Sequence, residues 1–522
     1  MIDGAVVVDA VVHPYNLAPA NQNPKARDQL EAVYGAHVLA TDQNRPEYLL
    51  THDEFFSDFP FEAIADSLFV ESPVDLAVIH ALPNLGFARG HVTAPERAAA
   101  FRDRYPDRFR LFATVDTPIT QLEQQVTQFG VDGLKLYPAF FYDDVGRGWR
   151  LDDADYATPL LEAARDLGIR NVAVHKALWL PPAPRSAFSL DDLDLPLERF
   201  PDINFHVVHA GAAFLEETAT LLRRHRNLYA TLESVFAYVV VRPLVFAKIL
   251  GTLLRACGAD QLMFGSGSNL SHPAPLLAAF DGYELPDDLV AEHGYPQLTA
   301  EDRRGPPRTA EDRRGPPRTA EDRRGPPRTA AGSSAGTRCA CSASTQPPLP
   351  AASRTTSSPA SACAVWPGPG DSYARARQRY GDEPPGRACA QSSSEERGRR
   401  RGAEPTERIG GPVNRTETAA PTEERIREAL RSVPEPCGLL MRTPIDICEM
   451  GLVDEIECHA GNVRVVLVLT DTSCVHFSGL KRYITDVLTA LPGVESVEVT
   501  VSTTQLWTPD RRQPAPGSPH PP

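Results

Sequence analysis

The feature that most constrains this chain is a rhythm in its first 298 residues. Short runs rich in β-branched residues alternate with helical stretches. The runs are AVVVDAVV (5–12), DLAVIH (75–80), FRLFATV (109–115), GLKLYP (133–138), NVAVH (171–175), INFHVVH (203–209), NLYATLE (227–233) and QLMFGS (261–266). Between most of them lie amphipathic segments such as Tyr156–Leu167 and Ala213–Arg224. Eight strands alternating with helices predict an α/β fold of the (β/α)8 TIM-barrel type. A doubly wound sheet would need a glycine-rich phosphate loop after the first strand, and only His13-Pro14-Tyr15-Asn16 stands there.

The rhythm stops at residue 298. Residues 299–328 are TAEDRRGPPR three times over without a change. A ten-residue unit with Gly-Pro-Pro is too short for a solenoid repeat. Residues 331–420 are rich in Ser, Ala, Pro, Gly and Arg and poor in aliphatic residues. Such a composition cannot offset the entropy of ordering, so 299–420 reads as a disordered linker. Identical repeats followed by such text look like a tandem duplication with a shift of reading frame, which resequencing the gene would test. Order returns over 421–510. PTEERIREALRSV reads as a helix capped by Thr422, NVRVVLVLT and VESVEVTVS as strands, and HFSGLKRYITDVLTALPG as an amphipathic helix between them. That is a small α+β domain, and residues 511–522 form a disordered tail.

Charge and cysteine content narrow the class. Residues 1–298 carry a net charge of −17, where a nucleic-acid binder needs a basic face. Nine Cys in 522 residues do not make a disulfide scaffold. The N-terminus lacks the basic start of a signal peptide. The most apolar stretch, Val235–Leu254, contains Arg242, Pro243 and Lys248, so it does not suit a bilayer span. A cytoplasmic protein with no membrane association is expected, and an oligomer stays open.

Sites in (β/α)8 barrels form at the C-terminal ends of the strands. The residues at those ends are His13, His80, Asp116, Lys135, His175, His209, Glu233 and Ser266. Neutral imidazoles and carboxylates are the ligand set of Zn²⁺ and similar divalent ions, and such an ion activates water. The bland alternative is that His80 and Glu233 are hydrogen-bonded groups at the edge of the core.

Over residues 5–300 the chain resembles the amidohydrolase superfamily, in its amidohydrolase-related branch of hydrolases and decarboxylases. The resemblance rests on Asp9-Ala-Val-Val-His13-Pro14, Gly133-Leu-Lys135-Leu-Tyr-Pro138, Pro159 to Arg165 leading to Val174-His175, Val208-His209-Ala-Gly211, and Leu262-Met-Phe-Gly265-Ser266. It implies a small-molecule substrate and a catalytic divalent metal, Zn with Mn or Fe as alternatives. His13 and His175 would be ligands and His209 the acid/base or electrophilic His. Lys135 resembles a family lysine on the fourth strand and would orient an anionic substrate. Two family ligands are replaced, one by Val11 and one by Gly267. Three readings stay open: a rebuilt site in which His80, Asp116 or Glu233 supplies ligands, a scaffold without catalysis, and metal-free chemistry by His and Lys135.

The region Glu424–Asp510 resembles the small SufT-like metal–sulfur cluster assembly domain. Its motifs are Val433-Pro434-Glu435-Pro436, Ile447 to Val453, Thr470-Asp-Thr-Ser-Cys474, Leu491-Pro492-Gly493-Val494 and Trp507-Thr508-Pro509-Asp510. The resemblance makes Cys474 the characteristic thiol, holding iron or an Fe–S cluster transiently. Cys474 stands just before a helix, whose N-terminus should favour the thiolate. Cys437 is its candidate companion, while Cys448 and Cys458 read as core. The two modules together suggest a hydrolase or decarboxylase fused to an assembly module. The alternative is a non-catalytic accessory protein that helps mature a client metalloenzyme such as an iron oxygenase.

Overall fold

The structure is a computed structural model. It describes residues 5–42, 44–86, 88–115, 119–142, 145–178, 185–299, 302–303, 421–436, 445–471, 474 and 476–513. Of the expected linker at 299–420 only residues 299, 302 and 303 are described, and of the expected tail at 511–522 only 511–513, where Arg511 ends a 3-10 turn; the rest of both, Asp116 and Cys437 lie outside the described residues.

All eight expected barrel strands form. They are β1 (Val8–Val12), β2 (Leu76–His80), β3 (Phe109–Thr114), β4 (Gly133–Leu136), β7 (Asn171–His175), β8 (Asn204–Val208), β9 (Leu228–Thr231) and β10 (Leu262–Met263). They run in parallel in the order β1-β2-β3-β4-β7-β8-β9-β10. Main-chain bonds join the two ends: Ala10 N–H to Phe264 O at 2.9 Å, Gly267 N–H to Val11 O at 3.0 Å and His13 N–H to Ser268 O at 2.8 Å. Strands buried on both faces read as continuous apolar runs, which is why the sequence marks them so clearly. An antiparallel hairpin, β5 (Ala139–Tyr142) with β6 (Val145–Gly148), is inserted after β4 and was not expected.

Val11, Phe112, Ala173 and Val208 come from four different strands and pack together, with Val78 beside them. They form an apolar layer inside the barrel. The helices close over larger apolar clusters outside it. The Val235–Leu254 stretch folds into a 3-10 turn and two helices, the second being Pro243–Cys257. Among the described residues no helix is long and apolar enough to cross a membrane.

The barrel wall ends at a capped turn. Thr299 Oγ1 accepts from Asp302 N–H at 3.0 Å, and the Asp302 carboxylate accepts from Thr299 N–H at 2.8 Å. Beside it lies a cavity of about 230 Å³ lined by Val6, Val8, Leu254, Phe264, Phe280 and Leu298, among others.

The C-terminal region contains the helix Glu423–Leu430, whose Thr422 cap accepts from Arg425 N–H as expected. A three-stranded sheet follows in the order β11 (Val453–His459), β12 (Asn462–Leu467), β13 (Ser496–Val501). The crossover between β12 and β13 carries the helix Phe477–Thr489, which buries Phe477, Leu480, Ile484 and Leu488. The edge strand β11 was not expected.

Candidate active site at the barrel mouth

The strand ends bring the expected side chains together. His13 follows β1, His175 ends β7, His209 follows β8 and Glu233 follows β9. All four line one cavity of about 110 Å³. Its walls are apolar and aromatic, with Tyr15, Leu17, Leu82, Val92, Tyr137 and Leu178 among them. The helix Arg27–Ala40 forms part of the wall through Val33, Ala36, Leu39 and Ala40.

A chain of three groups crosses the cavity floor. The Glu233 carboxylate pairs with His209 Nδ1. His209 Nε2 lies 3.2 Å from His175 Nδ1. Ser234 Oγ also lies 3.3 Å from His209 Nδ1. At the far end of the chain, His175 Nε2 has no hydrogen-bond partner among the described residues. Tyr137 stacks on His175 at 4.7 Å and Phe188 meets it edge-on at 5.8 Å, which fixes the ring. His209 and Ser234 both have positive φ, 64° and 65°, so strained backbone flanks Glu233 in space and in sequence.

Gly267 makes room for this arrangement. A Cβ built on Gly267 would fall on the Glu233 carboxylate. On the neighbouring strand, Asp9 Oδ2 accepts from Ser266 Oγ at 2.5 Å and Oδ1 from Ser266 N–H at 3.0 Å. Burial pushes Asp9 up to about 7 in spite of those bonds.

His80 and Lys135 lie close by but do not line the cavity. His80 stacks on Phe112 at 4.9 Å and meets His13 edge-on at 5.7 Å. Lys135 is fully buried, its Nζ without a hydrogen-bond partner and 4.8 Å from the Tyr137 ring centre. Burial pulls Lys135 down to about 7, with Glu233 working the other way. Burial also holds His13 down to about 3, and with neighbouring Lys135 it holds His80 well below the usual range. His175 is held low by burial, then by His209 and Lys135. Burial would raise Glu233, but His209, His13 and Lys135 overbalance it and bring it to about 2. Glu233 is therefore held anionic, and burial holds His13, His80 and His175 neutral around it.

Arg242 enters the sequence argument only as a charge against a membrane span. The fold makes it a wall of the cavity, buried and seated over the Tyr238 ring at 4.9 Å. Ser234, Ser271 and the tyrosines Tyr15, Tyr137 and Tyr238 also line the cavity without a sequence signal that singles them out.

The resemblance in the sequence implies a divalent metal, and the donor set does not fit one. Val11 belongs to the apolar layer, and the space above Gly267 holds a carboxylate already paired with His209. A buried lysine shares the same electrostatic surroundings. Among the described residues no group of three or more His, Cys, Asp or Glu side chains converges to hold a metal ion.

In the C-terminal region, Cys474 lies three residues before the helix Phe477–Thr489. Burial pushes its thiol up to about 12, with Asp471 adding to the effect and the His476 and Phe477 amides opposing it. Burial and Asp471 thus work against the expected thiolate. Desolvation and nearby acids outweigh the helix N-terminus. Burial likewise pushes Cys448 up to about 11, in keeping with a core thiol.

No curated protein matches the chain. Solved structures that resemble it include an uncharacterised TIM-barrel protein from Bordetella bronchiseptica, 17% identical, covering 55% of this chain and 95% of its own, TM-score 0.39. Another is a probable 2-pyrone-4,6-dicarboxylic acid hydrolase from Acinetobacter baumannii, 14% identical, covering 53% and 91%, TM-score 0.35. A third is a 5-carboxyvanillate decarboxylase from Novosphingobium aromaticivorans with bound manganese, 13% identical, covering 57% and 96%, TM-score 0.34. Residues 423–501 match the family described as iron–sulfur cluster assembly protein. Residues 9–305, more than half of the sequence, match the amidohydrolase family, and the chain belongs to that family.

Proposed function

We propose that the barrel is a hydrolase or decarboxylase for a small carboxylic acid or its ester, working by proton transfer through His175. The observation that supports this most is the Glu233–His209–His175 chain, which ends in an unpartnered Nε2 at an apolar cavity. In ester hydrolysis, His175 Nε2 takes a proton from water as the water oxygen bonds to the acyl carbon. The acyl–oxygen bond then breaks, and the same proton passes to the leaving oxygen. Glu233 holds His209 in the tautomer that can accept from His175. Arg242 supplies the positive charge for a substrate carboxylate. A cavity of about 110 Å³ is smaller than the roughly 150 Å³ of apolar space that holds benzene, so it suits a short-chain acid or ester better than a ring. No step draws on a metal ion.

The test is turnover of a panel of p-nitrophenyl esters and hydroxybenzoates by the full chain. His175→Ala should abolish activity, Glu233→Gln should lower it by ~10–100-fold, and a chelator should leave it unchanged. Activity that disappears with chelator and returns with Zn²⁺ or Mn²⁺ would overturn the metal-free reading.

A second reading draws on the C-terminal match. The chain would then be an accessory protein that helps deliver iron or an Fe–S cluster to a client metalloenzyme, with Cys474 as the carrier thiol. Absence of turnover, together with client maturation that fails in Cys474→Ser, would favour it.

A further inference from the structure

The helix Arg27–Ala40 touches two things at once. Through Val33, Ala36, Leu39 and Ala40 it walls the barrel cavity. Leu39 also packs against the C-terminal core built around Ile426, Leu430, Ile484 and Leu488. Gly35 sits in the interior of this helix, where glycine is disfavoured because it brings no packing and more entropy to lose. The structure gives it a use. A Cβ on Gly35 would stand 3.1 Å from Cβ of Ser478 and closer still to its Oγ. Ser478 belongs to the first turn of the helix Phe477–Thr489, four residues beyond Cys474. A second contact lies apart from the first. Lys248 Nζ donates to the Thr504 carbonyl at 2.6 Å, and Leu506 packs against the barrel's own core.

We propose that the C-terminal region is an intramolecular partner of the barrel, seated on the Arg27–Ala40 helix as the outer support of the cavity wall. Gly35 is the notch that admits Ser478. Leu39 is the side chain shared by cavity and C-terminal core. The inference stands on packing and does not need the catalytic reading above.

The test is cysteine cross-linking in the full chain. The Gly35→Cys/Ser478→Cys variant is oxidised at low micromolar concentration, and the linked peptides are read by mass spectrometry. The Cβ separation is slightly short of the usual 3.5–4.5 Å for a disulfide, within reach of a small shift. The control pair is Gly130→Cys/Ser478→Cys, since Gly130 faces open space. An intramolecular 35–478 link in most molecules, at least tenfold above the control, supports the proposal. A link no more abundant than the control, or one that joins two chains, overturns it. Gly35→Leu gives an independent readout by hydrogen exchange. Faster exchange in both 27–40 and 477–489, with the barrel strands unchanged, is expected. Unchanged exchange in both helices overturns the proposal.

Discussion

The Glu233 carboxylate occupies the space that a side chain on Gly267 would need. One residue's smallness and its neighbour's length are therefore a single adaptation. Gly267→Ala should destabilise the barrel by about 2–4 kcal/mol, from overpacking and from a positive φ of 62°. In the Glu233→Ala background the same change should cost at least ~1 kcal/mol less. Denaturant unfolding of the four proteins in the cycle measures the coupling.

Lys135 should make stability depend on pH in an unusual direction. Its folded pKa is about 7 against 10.5 for the free side chain. The buried ammonium is a cost that is full below pH 7 and fades as pH rises toward 10.5, because the unfolded chain then binds more protons. Lys135→Met should stabilise the fold by a few kcal/mol at pH 6, and the gain should shrink steadily toward pH 10. Thermal melts at four pH values check this. A gain independent of pH would mean that the lysine stays protonated in the fold just as it does in the unfolded chain.

Lys176 and Asp192 form an ion pair at 2.7 Å with both side chains fully buried. Lys176 also donates to the Ala187 carbonyl at 2.9 Å, and Asp192 accepts from Leu151 N–H at 2.8 Å. Lys176→Met should cost about 3–5 kcal/mol because it strands a buried carboxylate. Adding Asp192→Asn should recover part of that loss, measured by equilibrium unfolding.

Cys474, held near 12, should be a slow nucleophile at neutral pH. Iodoacetamide at pH 7.5 should alkylate it at least tenfold more slowly than free glutathione. Asp471→Asn should speed the reaction by removing one of the charges that oppose the thiolate. Peptide mapping over time gives both rates.

The barrel was legible because parallel strands buried on both faces leave apolar runs of the right length. The boundaries of β7 and β8 fall within a residue or two of NVAVH and INFHVVH. The β5–β6 hairpin escaped because its residues directly follow Tyr137-Pro138 and read as a continuation of the β4 loop. Strand β11 escaped because Val453–His459 lies at a sheet edge and carries three acids. In the site, positions were legible and partners were not. His175 and His209 are 34 residues apart, and only the pairing of β7 with β8 puts their rings 4.5 Å from each other. Arg242 reaches the cavity from a helix start rather than a strand end, so a rule based on strand ends passes over it.

The layer of Val11, Phe112, Ala173 and Val208 acts as a stopper beneath the imidazoles. In a cavity of about 110 Å³ a retained product and an incoming substrate cannot share the space above it. On the proposed reading, product should then compete with substrate.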